Sequence, residues 1–260
     1  MRWEGMNSEI RTDSGSAGNN SNKHAPEFIS AAPLNQYPFT GRTLVIAAHP
    51  DDETLGCGGT VARLAAAGKP ASVVILGRGL ESRGPAETDD LQNLRRESLR
   101  AMNELGIEKA AFMDFPDNRF DSIDMLDLVQ SVEEAIREFK PDLVLTHNPE
   151  DLNIDHRLTF QAVITALRPI QEKANLAILC FEVPSSTEWA GNNGFKPAIL
   201  VDISTTLKHK IHALSQYRSE TRNWPHPRSG RGLTAYSDFR GMAAGMEGAE
   251  AFSVFRMPFR

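Results

Sequence analysis

The sequence predicts an α/β fold in which a mostly parallel, doubly wound sheet carries helices on both faces. Short apolar runs alternate with helix-length segments, and the chain contains no internal repeat. Polar clusters follow two of the apolar runs, at residues 49–53 and 147–156. Because ligands bind beyond the carboxyl ends of the strands in such sheets, we expect both clusters to face one crevice.

The first half of the chain alternates between predicted strands and helices. Leu44-Val45-Ile46-Ala47-Ala48 is apolar throughout, which is typical of a strand buried on both faces, and residues 71–76 have a similar pattern. A helix over about residues 58–67 lies between these strands, and Gly68 suits the position after its end. A long helix over 89–105, followed by Gly106, leads to a short strand at 110–113.

The second half continues this alternation. A helix over about residues 122–139 precedes Pro141-Asp142, which introduce an apolar strand at 143–146. We then expect a helix at 156–167, strands near 177–183 and 198–201, and a helix at 204–217. Together these elements predict one mostly parallel sheet.

The length of 260 residues suits a single domain, which we place at residues 39–260. Residues 1–38 are rich in Asn, Ser, Gly and Pro, so we expect a flexible polar tail there. The alternative is a folded arm that covers a neighbouring subunit, with Phe28, Ile29 and Phe39 as anchors. A homo-oligomer is compatible with both interpretations.

The overall charge excludes one class of partner. The formal net charge is -6 and the pI is about 5.7, so we expect no nucleic acid as a partner. The two cysteines, Cys57 and Cys180, do not form a disulfide framework, which favours a reducing compartment. The sequence has no apolar run of transmembrane length and no secretory signal, so we expect a soluble cytoplasmic protein.

Four ionisable side chains occur within the five residues His49-Pro50-Asp51-Asp52-Glu53, directly after the first strand. Such a cluster is costly unless a cation compensates its charge, and His nitrogen with carboxylate oxygen suits zinc. His49 and Asp52 are three residues apart, so a turn that enters a helix can direct both at one ion. Asp51 is then placed beside the ion to accept a proton from water. We expect Glu53 to brace the loop.

An acidic turn that caps a helix is the alternative interpretation of this cluster. The segment Gly56-Cys57-Gly58-Gly59 has neither the glycine spacing of a dinucleotide site nor the lysine of a P-loop. Close packing of a helix on a strand explains these glycines better, and we interpret Cys57 as a small buried residue rather than a ligand.

The second cluster supplies the third ligand that a catalytic zinc site requires while one position stays open for water. We assign this ligand to His156, because the helix that it begins fixes its direction. Asp155 is expected to orient a neighbouring imidazole, and Asp151 either does the same or stabilises the turn. His147 is the competing ligand, and its other interpretation is a histidine hydrogen-bonded inside the loop.

These two motifs resemble those of the PIG-L family, also called LmbE-like. The similarity rests on Ala48-His49-Pro50-Asp51-Asp52-Glu53 and Asp151-Leu152-Asn153-Ile154-Asp155-His156, and it extends over about residues 43–255. The resemblance implies a Rossmann-like fold and zinc-dependent removal of an acetyl group from the nitrogen of an amino sugar. It also implies one Zn²⁺ per chain, replaceable by other divalent metals, with His49, Asp52 and His156 as ligands and Asp51 as general base.

The chain departs from the family pattern at one position. Several members have a histidine that stabilises the oxyanion three residues before the last ligand, where this chain has Asn153. Some members bring a C-terminal histidine to the site, in certain cases from an adjacent subunit, so we expect His226 to take this role with Asp155 orienting it. The alternative for His226 is a surface histidine between two prolines.

Substrate contacts are expected from side chains that follow strand ends. Arg78 and Arg83 offer guanidinium groups to sugar hydroxyls or a phosphate, although both could equally be solvated loop charges. Asp117 and Asn153 complete the predicted substrate-binding residues. The expected substrate is a small amino sugar, either free or linked to a nucleotide or a lipid.

Other functions stay open at this point. One is a zinc amidohydrolase acting on a non-sugar amide in secondary metabolism. Another is a metal-binding protein without turnover, although binding alone does not need the base Asp51. A nucleotide-binding protein is disfavoured because the chain has no glycine-rich phosphate fingerprint.

Overall fold

The structure is a computed structural model that describes residues 38–80, 88–170, 175–191 and 194–259, together with residues 8–9, 34 and 36. Most of the tail predicted at residues 1–38 lies outside the described residues. Its flexibility and the single-domain boundary at residue 39 stay predictions.

One mostly parallel sheet organises the described part of the chain, and its strands lie in the spatial order β1-β4-β3-β2-β5-β6-β8-β7. The strands are β1 (Ser8–Glu9), β2 (Thr43–Ala47), β3 (Ser72–Gly77), β4 (Lys109–Phe115), β5 (Leu143–His147), β6 (Ala177–Phe181), β7 (Ile199–Asp202) and β8 (Ala249–Arg256). The pairs from β4 to β6 are parallel, whereas β1 and β8 run antiparallel to their neighbours.

Helices cover both faces of this sheet. They are α1 (Asp52–Ala66), α2 (Thr88–Glu104), α3 (Met125–Phe139), α4 (Ile154–Ala166), α5 (Leu207–Gln216) and α6 (Gly230–Met242). Successive strand residues point to opposite faces. Val45 and Val73 therefore pack against α1, α2 and α5, while Leu44 and Val74 pack against α3 and α4. The predicted fold class is confirmed.

The strand order reverses between β2 and β5, which are paired through Leu44 and Val144. From β2 the sheet grows towards β3 and β4 on one side and towards β5 and β6 on the other. This switch point opens a crevice beyond the carboxyl ends of β2 and β5, where sheets of this kind bind ligands. Both polar clusters lie there, as the sequence predicts.

Helix α1, helix α6 and strand β8 differ from the sequence prediction, and so does the short strand β1, which pairs with β4 although its residues fall in the predicted tail. Helix α1 begins at Asp52 instead of Gly58, because its first turn and its main part form one helix with a kink at Cys57, where φ is −143°. The sequence did not predict α6, which begins in the glycine-containing segment Gly230-Arg231-Gly232. Its start is fixed when the amide of Gly232 donates to the Oγ of Ser229 at 2.9 Å. Strand β8 was also missed.

A membrane-spanning helix is not found among the described residues, since none of their helices combines enough length with enough apolar character.

Candidate metal centre

The carboxyl ends of β2 and β5 bring the two polar clusters together. His49 follows β2, Asp52 begins α1, and His156 lies in the first turn of α4. The Oδ2 atom of Asp52 lies 3.4 Å from Nδ1 of His49 and 3.3 Å from Nε2 of His156. Three possible ligand atoms from three elements therefore converge on one point.

The donor atoms of this cluster fit a metal ion. Among the described residues, Oδ1 of Asp52 and Nε2 of His156 are buried and have no hydrogen-bond partner. Buried polar atoms without partners are costly, and a cation among them removes this cost. Two imidazole nitrogens and one carboxylate are the donor set of catalytic zinc sites with an open fourth position.

Without a cation, the acidic surroundings hold protons on the imidazoles. Burial alone lowers the pKa of His49, but Asp155, Asp52 and Asp117 outweigh it and raise the pKa to about 10. Burial also opposes the pKa increase at His156, where Asp52 and Asp151 raise it to about 9. The cluster therefore favours positive charge, which a metal ion supplies without the protons.

Each of the two imidazoles is oriented by a second carboxylate. Nε2 of His49 lies 2.9 Å from Oδ2 of Asp155, which also accepts the amide of Phe120 at 3.0 Å through Oδ1. Nδ1 of His156 lies 3.0 Å from Oδ1 of Asp151. Carboxylates in these positions fix the ring orientation and make the opposite nitrogen a better ligand.

Asp151 is itself held by several donors. Its carboxylate accepts the hydroxyls of Ser186 and Thr187 and the amide of Asn153. Although burial acts in the opposite direction, His156 and the hydroxyls of Ser186 and Thr187 lower the pKa of Asp151 to about 2. Of its two predicted roles, the contacts therefore support the orientation of an imidazole.

A second arrangement of possible ligands uses the other nitrogen of His49. Asp117 and Asp155 lie 3.2 and 2.9 Å from Nε2 of this residue. Because Nε2 is hydrogen-bonded to Asp155 and Oδ1 of Asp52 is not satisfied, the cluster of His49, Asp52 and His156 fits a cation better.

His147, the competing ligand, is engaged elsewhere. Its Nε2 accepts the amide of Ala48 at 2.8 Å, so the lone pair of this nitrogen is already used. The ring stacks on His156 with centroids 4.0 Å apart. Burial and the neighbouring His156 lower the pKa of His147 to about 3, which keeps it neutral. These contacts support a histidine hydrogen-bonded inside the site.

Asp51 lies beside the cluster in a left-handed conformation, with φ of 101°. Burial raises its pKa well above the ordinary value, and the guanidinium of Arg228 opposes that increase. Nη1 of Arg228 donates to Oδ2 of Asp51 at 2.9 Å and to Glu220 at 3.1 Å, while its Nε donates to the Oγ of Ser185 at 2.8 Å. The carboxylate that the sequence predicts as the base is thus fixed from the C-terminal part of the chain.

Glu53 holds the same turn from inside. One carboxylate oxygen accepts the hydroxyls of Thr54 at 2.6 Å and Tyr217 at 2.7 Å, and the other accepts the amide of Asp51 at 3.2 Å. These contacts agree with the predicted bracing role of Glu53.

The predicted substrate residues fall into three groups. Asp117 and Asn153 line the pocket above the cluster, together with Pro50 and Arg228. Asn153 also caps α4, since its Oδ1 accepts the amide of Asp155 at 2.8 Å. Arg78 lines an adjoining pocket, whereas Arg83 lies outside the described residues.

The contacts of His226 are with residues outside the cluster of His49, Asp52 and His156. Its ring lies against Trp189, with centroids 5.7 Å apart, and its Nδ1 accepts the amide of Arg228 at 3.1 Å. The carboxylate of Asp155, expected to orient His226, is bonded to His49 and Phe120 instead. Among the described residues it is Arg228 from this segment that lines the pocket, and the catalytic role of His226 stays a prediction.

The sequence suggests that the C-terminal segment containing Arg228 closes over the site, but it does not predict the contact of Arg228 with Asp51 or the presence of Glu220, Ser186 and Thr187. Arg228 lies 177 positions from its partner Asp51 in the sequence, so the spacing of neighbouring residues does not predict this contact. A physical argument predicts a cation beside Asp51, because a buried carboxylate that stays ionised needs a positively charged partner nearby.

The fold and the site define a class of α/β proteins with a buried His-Asp-His cluster at the switch point of a mostly parallel sheet. Residues 44–167 match the model of the family described as PIG-L, GlcNAc-PI de-N-acetylase. The uncharacterized deacetylase YaiS of Escherichia coli is 30% identical over 182 residues, which cover 68% of this chain and 90% of YaiS. The chain belongs to the PIG-L family, as its motifs predict.

A further relative has a named substrate. The probable N-acetyl-alpha-D-glucosaminyl L-malate deacetylase 2 of Bacillus cereus is 26% identical over 185 residues, covering 68% of this chain and 83% of that protein.

Solved structures share the fold at lower identity. The N,N'-diacetylchitobiose deacetylase of Pyrococcus horikoshii superposes with a TM-score of 0.68 at 20% identity, covering 88% of this chain and 91% of the other. The 4-carboxy-2-hydroxymuconate hydratase of Pseudomonas putida has a TM-score of 0.67 at 20% identity, covering 84% and 98%. Since deacetylase and hydratase share this fold, the fold does not specify the reaction.

Proposed function

We propose that this protein is a zinc-dependent deacetylase that removes the acetyl group from the nitrogen of an N-acetyl amino sugar or its conjugate. The observation that carries this proposal is the buried cluster of His49, Asp52 and His156 with the further carboxylate of Asp51 beside it. Membership of the PIG-L family and the N-acetylglucosaminyl malate deacetylase among the relatives support the sugar amide as substrate.

His49, Asp52 and His156 are the proposed ligands of one zinc ion. When bound, zinc polarises the amide carbonyl and makes water more acidic. Asp155 and Asp151 orient His49 and His156 for this purpose, through the contacts at 2.9 and 3.0 Å.

Asp51 is the proposed general base. It takes a proton from the attacking water and returns that proton to the leaving amine. Its burial favours this role because a carboxyl group with a raised pKa holds the proton more readily between the two steps. Arg228 keeps the carboxylate aimed at the pocket through the bond from Nη1.

The test is a deacetylation assay with protein whose metal has been removed by a chelator and with the same protein after zinc has been added back. Substrates are N-acetylglucosamine, N,N'-diacetylchitobiose, N-acetylglucosaminyl L-malate and N-acetylglucosaminylphosphatidylinositol, and the released amine is measured. We expect turnover of at least one substrate only after zinc is added.

Asp51→Asn in the zinc-loaded protein should lower kcat about 100-fold or more while zinc stays bound. Asp121→Asn is the control, because Asp121 is exposed and is not among the residues that line the pocket. A protein that binds zinc but releases no amine from any substrate would contradict the proposed function. Near-normal turnover by Asp51→Asn would contradict the role of Asp51 alone.

A further inference from the structure

The loop that follows β6 contacts the candidate site through three consecutive hydroxyl groups. They belong to Ser185, Ser186 and Thr187, and all three residues are buried. The backbone turns tightly here, because the amides of Ser186 and Thr187 donate to the carbonyl of Val183 at 3.1 and 3.0 Å. The three hydroxyls of this Ser185–Thr187 loop are therefore held on one compact turn.

The first hydroxyl of the loop contacts the residue that holds the proposed base. Oγ of Ser185 accepts a hydrogen bond from Nε of Arg228 at 2.8 Å, and Nη1 of the same guanidinium donates to Oδ2 of Asp51 at 2.9 Å. A guanidinium is planar, so a hydrogen bond at Nε also restricts the direction of Nη1. The position of Ser185 is therefore transmitted to Asp51 through Arg228.

The other two hydroxyls contact the carboxylate that orients a proposed zinc ligand. Ser186 donates to Oδ1 of Asp151, and Thr187 donates to Oδ2. Oδ1 of Asp151 lies 3.0 Å from Nδ1 of His156. Thr187 is itself held, since its Oγ1 accepts the amide of Val183 at 2.8 Å. With a donor on each oxygen, the carboxylate has a fixed plane, and it can hold the imidazole in one orientation.

The backbone of Ser185 has an unusual conformation that lies between these two sets of contacts. Its φ is 74°, in the left-handed region that residues other than glycine rarely adopt. The amide of Ser185 donates to Oε1 of Glu188 at 2.7 Å, and the Arg228 contact holds its side chain. A left-handed conformation of this kind has a free-energy cost and persists where surrounding contacts maintain it, which is frequent at functional sites.

We propose that the Ser185–Thr187 loop positions both the base and one zinc ligand of the candidate site. Through Arg228 it determines the geometry of the base, and through Asp151 it determines the geometry of His156. The proposal rests on the proposed function and adds residues that act through others. Because the two connections use different hydroxyls, their losses should have different effects on the reaction rate and on zinc binding.

Variants of the zinc-loaded full chain separate the two connections. Ser185→Gly removes the hydroxyl and keeps the left-handed backbone, which glycine adopts readily. It should lower kcat about fivefold, as expected for one lost hydrogen bond, and leave KM and zinc affinity unchanged. Ser186→Ala/Thr187→Val should weaken zinc binding about tenfold and lower kcat of the zinc-saturated protein by no more than about twofold. Ser215→Ala, which removes an exposed hydroxyl of α5, is the control.

A double-mutant cycle tests whether Ser185 acts through Arg228. Lysine lacks the Nε–H group whose hydrogen bond Ser185 accepts, so Ser185→Gly should cause no further loss of kcat in the Arg228→Lys background. A loop that contributes only to stability predicts instead that the two losses multiply. Multiplying losses, or a loss of zinc affinity in Ser185→Gly as large as in Ser186→Ala/Thr187→Val, would overturn the proposal.

Two measurements need no turnover and therefore distinguish this proposal from the proposed function. One is zinc affinity, measured by competition with a chromophoric chelator. The other is the exchange of the Nε proton of Arg228 with water, measured by NMR and assigned by its absence in Arg228→Lys. Ser185→Gly should accelerate this exchange about tenfold. Both effects without any turnover would contradict the proposed function and support the positioning contacts, whereas unchanged exchange would overturn the connection through Arg228.

Discussion

The two nitrogens of His49 have different surroundings. Nδ1 faces Asp52 at 3.4 Å, and Nε2 faces Asp155 at 2.9 Å. His156 repeats this arrangement with Asp52 on one side and Asp151 on the other. At the scale of single residues, the site therefore consists of a shared carboxylate, two imidazoles and two carboxylates that orient them. The orienting carboxylates of Asp155 and Asp151 are therefore as much a part of this cluster as His49, Asp52 and His156.

Asp155→Asn should weaken zinc binding about 10- to 100-fold, because an amide holds His49 less firmly and makes its ring a poorer ligand. The affinity is measured by competition with a chromophoric zinc chelator. Asp121→Asn, which removes an exposed carboxylate three residues before Asp124, the N-cap of α3, should leave the affinity unchanged. Equal affinities for wild type and Asp155→Asn would show that this carboxylate does not support the metal.

Arg228→Lys should lower kcat about tenfold and leave KM and zinc content nearly unchanged. Lysine keeps the positive charge but cannot contact Asp51, Glu220 and Ser185 at once, as the guanidinium does. Steady-state kinetics measure kcat and KM, and metal analysis measures the zinc content. Arg222→Lys is the control from the same segment, because its guanidinium bonds to the backbone carbonyls of Ser219 and Thr221. If both variants lose activity equally, Arg228 acts only through the stability of the segment.

At the scale of elements, helix α1 connects the candidate metal centre to the sheet. Its glycines allow close approach, since a Cβ at Gly56 would lie 2.3 Å from the ring of Phe181 and one at Gly59 would lie 2.7 Å from Ile203. Close packing of helix on strand thus accounts for this glycine segment, as the sequence indicates. The kink at Cys57 is stabilised from β8, where Glu250 accepts the amides of Gly59 and Thr60 at 2.8 and 2.7 Å.

Glu250→Gln should lower the free energy of unfolding by about 3 kcal/mol, because it leaves the buried ammonium of Lys210 without its charged partner. Urea denaturation measures the change. Glu247→Gln, an exposed position nearby, should change stability by no more than about 0.5 kcal/mol. Adding Lys210→Met to Glu250→Gln should restore part of the loss. A double variant as unstable as the sum of both single changes would contradict this explanation.

At the scale of the whole molecule, the sheet separates two cores, and both cysteines are buried as free thiols. Burial raises the pKa of Cys180 to about 12 and raises that of Cys57 well above its ordinary value. Neither residue forms the thiolate that reacts with electrophiles near neutral pH.

The native protein should therefore react with Ellman's reagent at pH 8 only as fast as it unfolds. Full denaturation in guanidinium chloride should expose two thiols per chain, which matches the cysteine count. Rapid modification of one thiol in the native protein, at a rate independent of added denaturant, would be inconsistent with this packing.

The sequence by itself determined the fold class, the positions of the central strands and the candidate ligands. Apolar runs such as Leu44-Val45-Ile46 are local consequences of burial on both faces of a sheet, so they can be identified without a structure. His49 and Asp52 lie in one turn, so their spacing of three residues can likewise be recognised in the sequence without a structure.

Only the tertiary structure decided how the distant residues are paired. It placed Nε2 of His147 on the amide of Ala48, assigned Asp155 to His49, and brought Arg228 rather than His226 into the pocket. Contacts such as Asp51 with Arg228 join segments 177 positions apart. Local sequence patterns indicate whether a residue is buried. The partner of a buried charge depends instead on how whole helices and strands pack against one another, and local sequence patterns do not specify that packing.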